Sequence, residues 1–461
     1  MMTSSPSRLS SFILVSLICA LIGLVWMLVP NPAVALVLAL LPLGALFVVS
    51  QTFWFVTLFV VFSFFRIHEV IPALYSLKIP LLLSLGALSG LLWHTLISRE
   101  LKVYWHPSLT WLAIFWGLVI VGMAFASNRG IAITTFKNTY WKIIVMTLAI
   151  IWLMNNIDNL ARVSVLIVMA GLLVGAVALS NSVNGIGLVE GSRVTIGRDI
   201  GSVLGDPNDL ALVLMFPLAF AAGLATTPRV HWLIRLCSIV TIVILMMAVI
   251  ATQSRGGLLG SLAVFGIFAI KLIRSKVALF SIGAIAALVL YSVAGISDRA
   301  SGGAAEAGID ASAMGRLYAW EAAFKMSLDN PFTGVGLNNF YSNYFFYSPH
   351  WDGLNHAVHS TWFGVLAETG MLGLVVFIGF ITSLILTARK TLKQIAIKPE
   401  THNCYLIAMA NSVYAGLIGT IVSATFLTQG FTWPIYILAA LTIAVSHLTQ
   451  NACQNENNTA T

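Results

Sequence analysis

The chain alternates long apolar runs with short polar breaks. Within each run the apolar residues are consecutive and do not alternate with polar ones. Most runs have about the 20 residues that a helix needs to cross the hydrocarbon core of a bilayer. Only helices and closed barrels satisfy backbone polar groups in lipid, and continuous runs favour helices. Because the third and sixth runs are short, the pattern predicts about 12–14 transmembrane helices, at about 11–29, 31–49, 52–66, 79–97, 107–126, 139–154, 162–180, 208–226, 235–252, 256–272, 278–296, 360–387, 403–425 and 431–448.

Composition agrees with this all-α, polytopic integral membrane fold. Of the 461 residues, 59% are hydrophobic and 9% are charged, whereas soluble proteins carry roughly 25% charged residues. We interpret residues 1–461 as a single transmembrane domain. The net charge of +8 does not indicate nucleic-acid binding, because the basic residues lie in loops between apolar runs. The four cysteines are scattered without metal-ligand spacing, so we expect no zinc site.

The basic residues also predict an orientation. If the N-terminus is cytoplasmic, the short inner connections contain most of them, as the positive-inside rule requires. Both termini then lie in the cytoplasm, and a large loop at 297–359, with short helices, faces the outside. The inner basic residues are Arg8, Arg99, Lys102, Arg162, Arg229, Arg235, Lys271, Arg274, Lys276, Arg389, Lys390, Lys393 and Lys398.

Arg255, in the sequence "TQSRGG", lies at the outer end of a predicted helix hairpin. Gly256 and Gly257 let the backbone approach a ligand closely. Two interpretations stand from the residues alone. The side chain extends to the lipid headgroups, or it binds a phosphate through a bidentate, charge-assisted contact.

The outer loop contains a predicted amphipathic helix. Leu317, Trp320, Phe324 and Leu328 recur at helical spacing, which is typical of a helix at a membrane surface. Arg316 stands near the start of this helix, where an interfacial anchor is the favoured interpretation from the residues alone.

His359 precedes the span that begins at Thr361. An imidazole accepts a proton near neutral pH and suits a general base, although a histidine beside a helix start is also a common structural feature. Asp206, in "GDPNDLAL", predicts a helix start.

An aromatic group in the outer loop, which includes Tyr344 and Trp351, has two interpretations: a belt at the membrane interface, or stacking faces for sugar rings. His356 lies close to this group along the chain. The sequence contains no nucleotide-binding motif in a fitting context, so the energy for any reaction must come with the substrate.

Three segments in this order resemble the O-antigen ligase and polymerase superfamily. They are "SRGG", then "MGRLYAW…NPFTGVGLNNF", then "HSTWFGVLAETGMLGL". The resemblance covers about residues 200–390, which we take as the catalytic region. "GDPNDLAL" is similar to that family's Asn-Pro-Asn segment, with Asp206 in place of the first Asn.

The resemblance implies a glycosyltransferase of the GT-C type in the bacterial inner membrane. Its donor is a glycan on undecaprenyl diphosphate, and its site faces the periplasm. His359 matches the family's catalytic histidine, while Arg255 and Arg316 match the two arginines that hold the diphosphate. Tyr344, Trp351 and His356 are candidates for glycan or acceptor contacts. The resemblance implies inversion at the anomeric carbon, with no metal or other cofactor.

The sequence leaves the acceptor open. In ligases the acceptor is lipid A–core, and in polymerases it is another lipid-linked repeat unit. In a related branch of the family the acceptor is a protein hydroxyl. A transporter would favour paired interrupted helices in two repeated halves, and we see no such pair. The expected partners are therefore the lipid-linked glycan, its acceptor and membrane lipids.

Overall fold

The structure, a computed structural model, describes residues 32–293, 311–351 and 353–460, with a few scattered positions before residue 28. Within these ranges the regular elements are helices, with one isolated β-bridge between Val189 and Arg193. The predicted all-α class is confirmed. The first predicted span at 11–29 and the start of the 297–359 loop fall outside the described ranges.

The helices follow one another along the chain with short connections. Short 3₁₀ segments lie at Pro72–Leu77 and Val203–Gly205, and π turns at Trp93–Ile97 and Phe136–Tyr140. The α-helices are α1 (Pro32–Ser50), α2 (Thr52–Phe64), α3 (Ile67–Val70), α4 (Ile79–Leu92), α5 (Pro107–Phe125), α6 (Arg129–Thr135), α7 (Trp141–Leu153), α8 (Ile157–Asn184), α9 (Pro207–Thr226), α10 (Trp232–Ala251), α11 (Arg255–Leu272), α12 (Lys276–Val293), α13 (Ala311–Asp329), α14 (Phe340–Tyr347), α15 (Thr361–Ile397), α16 (Cys404–Ala424) and α17 (Trp433–Ala460).

Nine helical segments in the described part of the chain are long and apolar enough to span a membrane. A tenth span arises if α1 and α2 form one broken segment, since they meet at an angle of 76°. The sequence pattern predicted separate spans there. It also predicted spans at α7 and α12, neither of which is among the nine. The 13 residues of α7 rise only about 20 Å, against the roughly 30 Å of a hydrocarbon core.

Helix α9 lies at the centre of the bundle. It packs against α8, α10, α11 and α16, and almost all of its residues are buried. Small residues allow these close approaches: a β-carbon at Gly223 would meet the Ser412 hydroxyl, and one at Gly171 would meet Pro217. Small residues at helix contacts are how membrane helices pack closely.

The bundle has two chemically different ends. The N-termini of α9, α11 and α15 meet at one end, which we call the site end, and α13 and α14 pack there against α15. The C-termini of α9 and α15 meet at the other end, where Arg229 donates hydrogen bonds to the carbonyls of Glu400 and Pro399. We call this the basic end.

Candidate active site

His359 lies immediately before α15 and has a strained backbone. Its φ is 44°, in the left-handed region that few non-glycine residues adopt. The following residues hold this conformation. The Ser360 hydroxyl caps α15, and the Thr361 hydroxyl donates to the Leu427 carbonyl at 2.6 Å while accepting from the Gln429 N–H at 2.9 Å. Strain maintained by its surroundings is a frequent feature of functional sites.

Three charged or polar side chains influence the pKa of His359. Burial holds the pKa of His359 below its usual 6.5. The positive charge of Arg316 lowers this pKa further, the carboxylate of Asp206 opposes the shift, and His356 contributes to the lowering. The imidazole is therefore neutral at pH 7 and able to accept a proton. The structure thus brings together residues that lie about 150 positions apart in the sequence.

Helix α13 positions Arg316 through Trp320, one turn further along. The Trp320 indole donates to the carbonyl of Val358 at 3.0 Å, and its ring stacks on Phe363 with centroids 5.1 Å apart. These contacts hold the Arg316 turn beside the segment that carries His359. The predicted helix is confirmed, but the face packed against α15 consists of small residues and Met326, whereas Leu317, Phe324 and Leu328 are exposed.

The segment after α13 inserts into a break in α15. Gly370 has a φ of 71° and a ψ of −175°, so the helix is interrupted there. The Pro331 carbonyl accepts from the Met371 N–H at 2.8 Å, and the freed Ala367 carbonyl accepts from the Val335 N–H at 2.8 Å. A β-carbon at Gly370 would lie 2.5 Å from the Pro331 oxygen.

Glu368 completes this junction. Its buried carboxylate accepts from the backbone N–H groups of Asn338 at 2.7 Å and Phe340 at 3.4 Å. It therefore satisfies backbone donors at the start of α14, as a carboxylate at a helix N-terminus does. This contact accounts for an acidic residue within a transmembrane span and assigns it a structural role.

Arg255 is the first residue of α11 and is partly buried. Ser254 caps this helix by accepting from the Gly257 N–H at 3.2 Å, and its hydroxyl also donates to the Asn208 side-chain carbonyl at 2.9 Å. Asn208 is in the first turn of α9, where Asp206 is the capping residue. The starts of α9 and α11 are thus joined, and Arg255 and Asp206 lie at the same end of the bundle.

Arg193 is a further cation at this junction that sequence reasoning missed. Its guanidinium is buried, and it donates to the Thr252 carbonyl at 3.2 Å and to the Asn208 side chain at 3.1 Å. Asn208 therefore links Arg193 with Ser254. In the sequence, Arg193 stands in an ordinary glycine-rich loop, and Asn208 has only the pattern of a helix start.

The three candidates for glycan contacts differ in exposure. Tyr344 is 1% exposed and meets His356 edge-on, with centroids 5.4 Å apart. In this conformation Tyr344 offers no open face to a sugar, and its contact instead positions His356. Trp351 is 41% exposed and packs edge-on against Phe345, so its ring remains accessible.

The comparison with known families bears on this same region. Residues 240–378 match the family model described as O-Antigen ligase. This segment of the chain is therefore similar to the O-antigen ligase family. The matched segment begins within α10, ends within α15 and contains Arg255, Arg316 and His359. No match was found among curated proteins.

This match supports a ligase-like or polymerase-type activity in general terms. Such an activity implies a lipid-linked glycan and an acceptor. Together with the nine candidate spans in the described part of the chain, it indicates a multi-pass protein of the inner membrane.

Proposed function

We propose that the protein is an O-antigen ligase-like glycosyltransferase. It moves a glycan from undecaprenyl diphosphate to a hydroxyl of lipid A–core at the periplasmic face. The observation that carries the proposal is the joint electrostatic action of Arg316, Asp206 and His356 on a strained, neutral His359. The ligase match over this segment supports the reaction class.

The chemistry follows from the charges at the site. The acceptor hydroxyl attacks the anomeric carbon, a new C–O bond forms, and the bond to the diphosphate breaks. His359 takes the hydroxyl proton. Arg255 and Arg316 stabilise the negative charge that develops on the leaving diphosphate, an electrostatic role that is worth most where water is excluded. A single displacement of this kind inverts the anomeric carbon, and the arginines supply the charge that a metal ion would otherwise supply.

The orientation is part of the proposal. The basic end carries Arg229 in the connection after α9, Arg235 in the first turn of α10, and Arg389 and Lys390 near the C-terminus of α15. The positive-inside rule assigns such an end to the cytoplasm. The site end then faces the periplasm. This agrees with a donor whose polyprenyl chain stays in the membrane while its glycan reaches the site.

A strain that lacks the protein provides the test. Its lipopolysaccharide is separated on a gel, and its lipid-linked glycans are measured in parallel. Loss of the long-chain ladder, with long glycans accumulating on undecaprenyl diphosphate, supports a ligase. A core with a single repeat would replace this assignment with a polymerase. An unchanged pattern in both measurements would contradict transfer to lipopolysaccharide and favour a protein acceptor.

A further inference from the structure

A second cavity opens at the site end, apart from the residues around His359. Its volume is about 730 Å³, and α2, α3, α4 and the start of α7 surround it. Its walls combine cationic and apolar side chains. The cations are Arg66, Lys78 and Lys142, and the main apolar side chains are Phe59, Leu81 and Trp433. The mechanism above assigns none of these residues a role.

Two of the three cations stand on strained backbone. Arg66 has a φ of 54° and Lys78 a φ of 48°, each at the residue before a helix begins. The left-handed conformation is unfavourable for a residue with a β-carbon. Both cations are thus fixed at the start of a helix that lines the cavity.

The cavity has an excess of positive charge. Arg66 is held by Glu69 through contacts of 2.7 and 2.9 Å, and Glu69 also accepts a hydrogen bond from Ser202. Burial lowers the pKa of His68, which also faces the cavity, so this imidazole is neutral at pH 7. Within the described residues, Lys78 and Lys142 have no acidic side chain at ion-pair distance. Arg66 and Glu69 offset each other, and the two lysines leave a charge of about +2, which suits one phosphate group.

The cavity also leads towards the catalytic residues. It shares Ser63, Arg66, Thr139 and Trp433 with a neighbouring cavity of about 330 Å³. The smaller cavity reaches Asp209 and Gln429, whose side chains are hydrogen bonded at 3.0 Å. Asp209 lies one helical turn from Asp206, which acts on His359. The two cavities therefore share a wall, and the smaller one reaches to within one helical turn of Asp206.

We propose that this cavity binds the acceptor, and that the acceptor is a lipid-linked glycan that carries phosphate. The phosphate contacts Lys78, Lys142 and Arg66, and the apolar part lies along Phe59 and Leu81. This rests on the proposed function, in which Arg255 and Arg316 hold the donor diphosphate. Inversion requires the attacking hydroxyl to lie opposite the leaving group. The second cavity is lined by helices other than α11 and α13, which carry Arg255 and Arg316, so an acceptor held there is separate from the donor diphosphate. A protein acceptor would need neither the cations nor the apolar wall.

Steady-state transfer by the full-length protein in lipid nanodiscs tests the inference. The acceptor is phosphorylated lipid A–core or the same molecule after phosphatase treatment. The variants are Lys78→Ala, Lys142→Ala and their double mutant. We expect the acceptor KM of the double mutant to rise about tenfold, because two charge-assisted contacts are lost, with the donor KM unchanged. With dephosphorylated acceptor, the wild type and the double mutant should have the same high KM.

Lys137→Ala is the matched control, because Lys137 is an exposed lysine at the same end that does not line the cavity. Lys142→Arg should restore most of the acceptor affinity. An equal rise in donor KM, an effect of Lys137→Ala as large as that of Lys142→Ala, or a defect that persists with dephosphorylated acceptor would each overturn the inference.

A binding measurement separates this inference from the proposed function. Native mass spectrometry of the same nanodiscs reports how much phosphorylated and dephosphorylated lipid A–core is bound, whether or not transfer occurs. If the wild type shows no transfer, the proposed function fails. Phosphate-dependent binding that the double mutant loses and Lys137→Ala retains would still support the cavity as a lipid phosphate site. Equal binding of the two lipids would refute it.

Discussion

The arginines at the two ends of the bundle occupy opposite positions relative to helix dipoles. At the basic end, Arg235 donates to the carbonyls of Ala225 and Thr227, at 2.9 and 3.3 Å, where α9 ends. A cation there is favoured by the dipole and satisfies carbonyl groups that have no partner within the helix. At the site end, Arg255 is the first residue of α11, where the dipole opposes a cation. Its position becomes favourable when an anion binds between the arginine and the helix start. The carbonyl contacts of Arg235 account for its position at the basic end, whereas the proposed function accounts for Arg255 at the start of α11.

The largest expected effect concerns His359, the proposed base. His359→Ala should reduce transfer by about a hundredfold to ten-thousandfold, the usual contribution of a general base. His359→Gly should be equally inactive yet at least as stable as the wild type, because glycine adopts a positive φ without strain. Turnover and thermal unfolding of both variants check this. Near-normal transfer in either variant would remove His359 from the mechanism.

A pair of conservative substitutions addresses the two ends directly. Arg255→Lys keeps the charge but loses the two-pronged guanidinium, so the donor KM should rise about tenfold. Arg235→Lys should leave transfer unchanged and lower the unfolding temperature by roughly 2–4 °C. Kinetics and a melting curve for each variant provide the test. The comparison between the ends fails if Arg235→Lys impairs donor binding as much as Arg255→Lys does.

Two glycine substitutions test whether the backbone at the site end is rigid. Gly370→Ala should destabilise the protein by about 1–3 kcal/mol, because its φ is strained for alanine and the new β-carbon would overlap the 330–331 backbone. Gly266→Ala, in α11, has no atom within 4 Å of the new β-carbon and should be neutral or slightly stabilising. Equal unfolding temperatures would show that the α15 break relaxes easily.

The smallest effect is a shift in pH dependence. Since the pKa of His359 lies below 6.5, transfer should be lost only as the pH falls below that value and the imidazole becomes protonated. Arg316→Gln removes a charge that lowers this pKa, so the acidic limb should move to higher pH. Lys325→Gln, on the same helix but paired with Glu321 at 2.8 Å, should leave the limb in place. A limb that stays in place in Arg316→Gln would contradict the coupling.

The sequence predicted most of the helices, because apolar runs and helix-start signals are local features. Arg316 and His359 were predicted as site residues only through the family resemblance. The sequence could not predict the break at Gly370. A glycine in a long apolar run has the same pattern whether or not another segment inserts beside it. Arg193 and Asn208 were missed for a similar reason, since their roles depend on contacts with Thr252 and Ser254 from a distant hairpin. The short α7 was predicted as a span because hydropathy does not show that a π turn replaces its first turn.

The break in α15 couples residues 330–340 to the transmembrane helix, so the two stretches can be exchanged between proteins only together. Residues 330–340 bond to the backbone and side chains of 367–372, so neither segment keeps its hydrogen bonds without the other. A chimera that grafts the outer segment from a related protein should therefore carry both stretches from the same parent. A chimera that took the two stretches from different parents would lose matching hydrogen-bond partners at this junction, which lies between the segments that carry Arg316 and His359. This would hold even if every residue at the site were identical.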